Sequence, residues 1–204
     1  EIYDSNINIT YKNLHSQWVS RGALKLLHAI DYFKINISNF ICLDIGASTG
    51  GFTEVLISKN AKKIYSVDVG TNQLHEKILV NQKVLNLSNI NARYLTSNDI
   101  PEKINIIVCD VSFISIKKAL KPSLSFLDKE GIIIALIKPQ FESKKTEIKK
   151  GGIIKDSSIH SRICKDYKLW FEEVCQMKVV GIIESPIKGA KGNIEFLIYA
   201  KKCL

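Results

Sequence analysis

The chain has 204 residues, 46% of them hydrophobic and 24% charged, enough to bury the core of one α/β domain. Lys and Arg number 29 against 20 Asp and Glu, and the net charge of +9 favours a polyanionic partner, nucleic acid first and an anionic membrane second. No apolar run approaches the roughly 18 residues of a bilayer-spanning helix, and the five cysteines (Cys42, Cys109, Cys164, Cys175, Cys203) contain no CxxC pair, so reduced thiols in a cytoplasmic protein without a metal site are expected.

Residues 1–19 are polar, with Tyr3, Tyr11 and Trp18 scattered among them, and read as an extended arm or the remnant of an interdomain linker. The folded domain is expected over 20–204. Ser20 is placed to cap a helix on which Leu24, Leu27 and Ile30 recur at helical spacing. "FICLDIG" (40–46) then reads as a buried strand ending in a glycine turn, "GFTEVLIS" (51–58) as a helix and "KIYSVDVG" (63–70) as the second strand. A short helix over 72–80 and a third strand over 83–89 follow. "INIIVCDVSF" (104–113) gives the fourth strand with its loop, residues 116–128 a helix with an internal proline, and "GIIIALIK" (131–138) the fifth strand. A lysine-rich loop covers 142–152, and a helix with Ile159, Ile163, Tyr167 and Trp170 on one side runs to about Val174. "KVVGIIES" (178–185) and "IEFLIYAKK" (194–202) have no helix between them and are expected to pair antiparallel. The alternation predicts an α/β fold: a mostly parallel seven-stranded sheet, helices on both faces, the last strand antiparallel and inserted beside the fifth. Ligands of such sheets sit beyond the carboxyl ends of the strands.

"DIGASTGGFT" (44–53) is no P-loop, because no GK[ST] follows its glycines, and Ala47 breaks the G-x-G of a dinucleotide fingerprint. Its D-x-G-x-x-x-G spacing resembles the first motif of the class I methyltransferases that bind S-adenosylmethionine, a donor without phosphate. On that resemblance Asp44, Gly46, Ala47, Ser48, Thr49, Gly50, Gly51 and Phe52 are candidate cofactor residues. Asp68 and Val69 follow at the end of the second strand, where an acidic residue holds ribose hydroxyls. Asn91 is a weaker candidate after the third strand, as is Asp99, and Asp110 closes the cofactor set.

Four polar residues are expected at the mouth of the sheet. Asp110 ends the fourth strand, Lys138 ends the fifth, Glu195 begins the last, and Lys25 reaches over from the first helix. Opposite charge favours the ammonium form of a lysine, while a second lysine and a desolvated strand end favour the neutral amine. That balance makes Lys138 a candidate general base, with Asp110 and Glu195 orienting the lysines.

"SRGALKL", "LDIGASTGGFT", "VDVG", "CDVSFIS", "IKPQFE", "KGGIIKD" and "GNIEF" occur in the order seen in the TlyA (hemolysin A-like) family of ribosomal RNA methyltransferases, within the FtsJ-like group. The chain resembles that family from about Trp18 to Lys201. The resemblance implies a Rossmann-like methyltransferase fold and a Lys-Asp-Lys-Glu tetrad at Lys25, Asp110, Lys138 and Glu195. It further implies 2′-O-methylation of a ribose in ribosomal RNA, with S-adenosylhomocysteine as product. Ala23 stands where the family has a second glycine. The family's N-terminal S4-type RNA-binding domain is not within these 204 residues, and residues 1–19 are expected to be the tail of a linker to it. Arg21, Lys144, Lys145, Lys188 and Lys191 are the candidate RNA contacts, with Lys149, Lys150 and Lys155 also available. Ribosomal RNA or a ribosomal subunit is the expected partner, and a monomer is favoured. The alternatives are a membrane-active protein, suggested by the family's hemolysin name, a binding module without catalysis, and a nicotinamide-dependent oxidoreductase.

Overall fold

The computed structural model of the protein describes residues 17–148 and 151–202. Most of the expected arm, together with Lys149, Lys150 and Cys203, lies outside the described residues. In chain order the elements are α1 (Gly22–Phe33), β1 (Ile41–Ile45), α2 (Gly51–Ser58), β2 (Lys63–Asp68), α3 (Glu76–Leu79), β3 (Val84–Ser88) and β4 (Ile104–Cys109). There follow α4 (Ile116–Leu120), β5 (Leu127–Ile137), α5 (Pro139–Glu142), α6 (Ser157–Leu169), β6 (Met177–Glu184) and β7 (Phe196–Lys202). The strands form one sheet in the order β3-β2-β1-β4-β5-β7-β6. Only β7 runs against its neighbours, pairing antiparallel with both β5 and β6. This is the predicted architecture. The strand order reverses between β1 and β4, which opens a crevice at their carboxyl ends.

The period of two along each strand assigns residues to the two faces. Ile133, Ala135 and Ile137 of β5 join Leu43, Ile107 and Ile198 in the core under α4 and α6. Ile132, Ile134 and Leu136 join Cys42, Ile106, Val108, Leu197 and Tyr199 in the core under α1 and α2. Both faces are covered, which is why these strands read as unbroken aliphatic runs. Cys42 and Cys109 are buried within the sheet, and burial pushes both thiols up, so they stay protonated.

Several expectations are corrected in detail. The helix expected over 72–80 is the single turn α3, whose first free amide, Lys77 N–H, donates to His75 Nδ1 at 3.1 Å. The helix expected over 116–128 stops at Leu120, because Pro122 has no N–H to continue the ladder; a 3₁₀ turn over Pro122–Ser125 delivers the chain into β5 at Leu127. On α1 the buried stripe is Ala23, Lys25, Leu26, Ala29 and Ile30, while Leu24 and Leu27 lie half-buried beside it. The small Ala23 on that stripe permits close approach of α2, and packing overrides the leucine spacing. The last strand begins at Phe196, so Glu195 immediately precedes it.

The approach of α1 to α2 rests on Gly51. A Cβ at Gly51 would lie 2.2 Å from Ser20 Oγ and 3.0 Å from the Ala23 nitrogen. Ser20 Oγ is already engaged, accepting from Gly22 N–H at 3.1 Å, but it is not the expected cap: Arg21 stands at the N-cap of α1, and no side chain caps the helix. Gly51→Ala is therefore expected to force the two helices apart and cost about 1–3 kcal/mol of overpacking. Urea unfolding of the two proteins checks it, with a lower midpoint at unchanged slope as the expected result.

Candidate active site

The alternation that builds the cores also aims the polar strand ends. Asp110 continues the parity of Ile106 and Val108, and its N–H donates to Ile45 O at 3.0 Å, extending the ladder by one step. Lys138 continues the parity of Ile134 and Leu136. Glu195 precedes Leu197 by two, and its carbonyl accepts Ser185 N–H at 2.8 Å. All three side chains emerge on the face covered by α1, where Lys25 occupies the first turn. The β5–β7 register pairs Ile137 with Phe196, so Lys138 and Glu195 are the next positions across.

The four groups form a chain of alternating charge. Lys138 Nζ lies 2.5 Å from Asp110 Oδ1, an ion pair without hydrogen-bond angles, and is hydrogen-bonded to Ser112 Oγ at 2.8 Å. Lys25 Nζ lies 3.8 Å from Asp110 Oδ2 and donates to Glu195 Oε2 at 2.7 Å. Lys25, Lys138 and Glu195 are buried, Glu195 to 2% exposure, while Asp110 is half-buried and faces outward into the neighbouring cavity. Two ammoniums and two carboxylates so arranged meet the rule that buried charge is paired.

Beside them, in the crevice between β1 and β4, lies a cavity of about 950 Å³. Of the candidate cofactor residues, Gly46, Ser48, Asp68, Val69, Asn91 and Asp110 line it. Asp44, Ala47, Thr49, Gly50, Gly51 and Phe52 do not; Ala47 and Phe52 are buried in hydrophobic cores, and Gly50 abuts Leu74 and Ile78. Gly46 has φ +82°, and a Cβ there would lie 2.5 Å from Asp110 O, so the turn admits only glycine. Asp68 Oδ2 accepts Ser48 N–H at 2.8 Å and its Oδ1 accepts Gly70 N–H at 2.7 Å. A carboxylate has about four acceptor sites, so two remain for a ribose diol. Asn91 Oδ1 accepts from Arg93 N–H and Nε–H at 3.1 and 3.3 Å. Asp99 stays outside the wall, its carboxylate held below its usual range by the backbone N–H and hydroxyl of Thr96. The residues present fit S-adenosylmethionine: a glycine turn that itself carries no lysine for phosphate, and a carboxylate at the ribose position, with the cations Arg93 and Lys118 standing elsewhere on the wall.

Of the candidate RNA contacts, Arg21 donates to Lys188 O at 3.4 Å, which brings the exposed Arg21 and Lys188 together near Glu195, with Lys191 on the same loop. Lys144 precedes and Lys145 opens the 3₁₀ turn after α5, and Lys155 is exposed before α6. Ser112, Phe113 and Arg93 are cavity residues that sequence reasoning missed. Phe113 is 90% exposed and adopts φ +64°, an unfavourable backbone for a bulky residue, against Phe141 at 4.9 Å between ring centres. Its loop is anchored by the Ser115 hydroxyl, 3.1 Å from Tyr167 OH, and by Glu142, which accepts Ile116 N–H at 3.0 Å. The quoted motif "DVSFIS" contained both Ser112 and Phe113, but nothing in its pattern distinguishes a cavity wall from an ordinary loop.

Sheet order, glycine turn and crevice together define a class I methyltransferase. The model of the FtsJ-like methyltransferase family matches residues 18–202, and the chain belongs to that family. Its methyl donor is S-adenosylmethionine. The chain is 42% identical to Hemolysin A of Brachyspira hyodysenteriae over 184 residues, covering 90% of this chain and 76% of that protein. It is 36% identical to the 16S/23S rRNA (cytidine-2′-O)-methyltransferase TlyA of Mycobacterium tuberculosis, over 90% of this chain and 68% of the relative. A crystal structure of a candidate hemolysin from Lactococcus lactis superposes with a TM-score of 0.87 at 40% identity, covering 92% of this chain and 90% of that one.

Behind the glycine turn, Asp44 is fully buried among Thr53 and Ser66 on the α2 face; Thr53 Oγ1 donates to its Oδ2 at 2.6 Å, and its Oδ1 has no partner among the described residues. Burial pushes its carboxyl up to about 7, with the charges of Asp110 and Asp68 adding and the Thr53 hydrogen bond opposing. Between about pH 4 and 7 the folded protein thus holds a proton that the unfolded chain has lost, and stability falls as pH rises through that window. Asp44→Asn removes the penalty. Without cofactor, the variant is expected to gain on the wild type by roughly 4 kcal/mol across the window, at about 1.4 kcal/mol per unit. Urea titrations at several pH values check this; a difference independent of pH would mean that Asp44 is ionised throughout.

Proposed function

We propose that the protein methylates a ribose 2′-hydroxyl of ribosomal RNA, with Lys138 as the base. The observation that carries the reading is the buried Lys138, held on Asp110 and Ser112, both of which line the cofactor cavity. The activity named for the M. tuberculosis relative supports the substrate class, and the positive charge of +9 suits a polyanion.

S-adenosylmethionine supplies an electrophilic methyl group on its sulfonium. Gly46 and Asp68 would hold it, with Val69 and Asn91 as further contacts on the cavity wall. Asp110 spans the cavity and the tetrad, so it fixes the lysine relative to the methyl group. Lys138, an ammonium on Asp110 at rest, would first release its proton to solvent; its free amine would then accept the proton of the 2′-hydroxyl, whose oxygen would take the methyl group that the bound donor supplies, with S-adenosylhomocysteine as the leaving group. Lys25 and Glu195 hold Asp110 in place. Such a transfer needs little covalent help, so positioning supplies much of the rate. The exposed Phe113 gives the nucleobase a face on which to stack once it leaves its helix, and Arg21, Lys144, Lys145, Lys188 and Lys191 contact phosphates. An upstream S4-type domain is proposed to add further RNA affinity, joined through residues 1–19.

The hemolysin name of the Brachyspira relative raises membrane activity as a second reading. Among the described residues no helix is long and apolar enough to cross a membrane. Co-sedimentation with anionic vesicles in physiological salt, without methyl transfer, would favour it.

Transfer of labelled methyl to ribosomal subunits lacking the modification tests the first reading. Lys138→Ala is expected to lower kcat by roughly 100-fold or more while cofactor binding persists. Phe113→Ala is expected to raise the KM for RNA about tenfold, as loss of one stacked base does, and to leave cofactor affinity alone. No transfer by the wild type, even with an S4-type domain joined upstream, would overturn the reading; full activity of Lys138→Ala would remove the base.

A further inference from the structure

Glu195 sits deeper than any other member of the tetrad, and its carboxylate is boxed on three sides. Lys25 Nζ takes Oε2 at 2.7 Å, and Gln140 Nε2 reaches Oε1 at 3.3 Å. On the third side the backbone of Gly189 comes so near that a Cβ there would lie 1.9 Å from Oε1 and 2.4 Å from Cδ. Gln140 arrives because Pro139 starts the one-turn helix α5 directly after Lys138, so the chain folds back over the strand end. A carboxylate only accepts, so the amide must turn its NH₂ towards it. The other amide atom, Oε1, is then buried without a partner among the described residues. A polar group kept at that cost points to a function for the bond it does make.

The Gly189 wall is held in turn by Asn193, which is 3% exposed. Asn193 O accepts Gly189 N–H at 2.9 Å, closing the turn. Its side chain crosses to a second glycine turn, where Oδ1 accepts Ile154 N–H and Nδ2 donates to Gly152 O, both at 3.0 Å. Bonding the carbonyl of one residue and the N–H of the next but one is what a parallel neighbouring strand would do. One amide therefore stitches the Gly151–Gly152 turn to the turn that walls Glu195. The Gly151–Gly152 turn of "KGGIIKD" is thereby tied to Asn193 of "GNIEF", two residues before Glu195.

We propose that Gln140 and Asn193 are positioning residues for the methyl transfer: together they clamp the Glu195 carboxylate against Lys25, so that Lys25 is neutralised by Glu195 and Asp110 is left to Lys138. The distances carry the argument, since Lys25 lies 2.7 Å from Glu195 but 3.8 Å from Asp110, whereas Lys138 lies 2.5 Å from Asp110. If Glu195 swings away, Lys25 competes for Asp110 and pulls it off the line that holds Lys138. The inference rests on the tetrad being the methyl-transfer centre.

The test compares wild type with Gln140→Met, which keeps the volume without a donor, and with Asn193→Leu and Asn193→Asp. Expected is a fall in kcat of about tenfold for Gln140→Met and Asn193→Leu, with both KM values within about twofold, the pattern of an interaction felt in the transition state. Asn193→Asp keeps the acceptor for Ile154 N–H and is expected to recover part of the loss. In parallel, labelling with isotopic acetic anhydride, read by mass spectrometry, reports each lysine amine. Lys25 is expected to label about fivefold faster in Gln140→Met and Asn193→Leu as its bond to Glu195 opens, and Lys138, only partly released by Asp110, by a clearly smaller factor. Unchanged kcat, unchanged Lys25 labelling, or equal acceleration of Lys25 and Lys138 would each overturn the clamp, the last by showing general loosening. The labelling ratio decides even if the wild type transfers no methyl to subunits, a result that would count against the proposed function alone.

Discussion

Lys25, Asp110, Lys138 and Glu195 can be buried only as a set. Each ion would cost several kcal/mol to bring out of water alone, and removing one partner from such a group typically costs about 3–5 kcal/mol because another charge is stranded. The alternating chain Lys138–Asp110–Lys25–Glu195 offsets that cost, with two cations against two anions in contact. The rest of the fold serves this requirement. The sheet delivers three of the four at strand ends on one face, and the first turn of α1 supplies the fourth.

Close backbone approach is the second constraint, and three glycines meet it. Gly46 lets the turn after β1 lie on the carbonyl of Asp110, Gly51 lets α2 touch the N-terminus of α1, and Gly189 lets a loop press on Glu195. Each joins an element that carries a tetrad residue to a neighbour, and each would be filled by a single methyl group. Precision here comes from absence of side chain. The alanine at position 23 illustrates the converse: its backbone does face a close neighbour, but Gly51 provides the space, so a side chain at position 23 is accommodated in the core.

The cavity and the tetrad are adjacent and not the same. Asp110 belongs to both, lining the cavity while pairing with both lysines. That double membership explains why a carboxylate at the end of β4 is central: it is the cavity residue that touches both lysines, whereas Ser112, also on the wall, bonds Lys138.

Much of this was legible in the sequence, for a local reason. Strands buried on both faces must be written as aliphatic runs, and a polar residue that interrupts such a run at its carboxyl end is exceptional enough to notice, as Lys138 and Asp110 were. The glycine turn and Asp68 were visible because backbone conformation and ribose binding demand particular residue types at fixed spacing. What the sequence could not give depended on contacts between distant segments. The buried face of α1 followed from the approach of α2 and not from the spacing of Leu24, Leu27 and Ile30. The helix expected to 128 gave way to a proline and to the pairing of β5. Ser112, Gln140, Gly189 and Asn193 are ordinary loop residues in one dimension; their roles arise only when β4, β5 and β7 lie side by side. Sequence thus determined which elements form and which residue types stand at their ends, because those follow from periodicity and backbone chemistry. Tertiary structure alone decided which polar groups meet, because a contact between residues 140 and 195 exists only through the antiparallel register of β7 on β5.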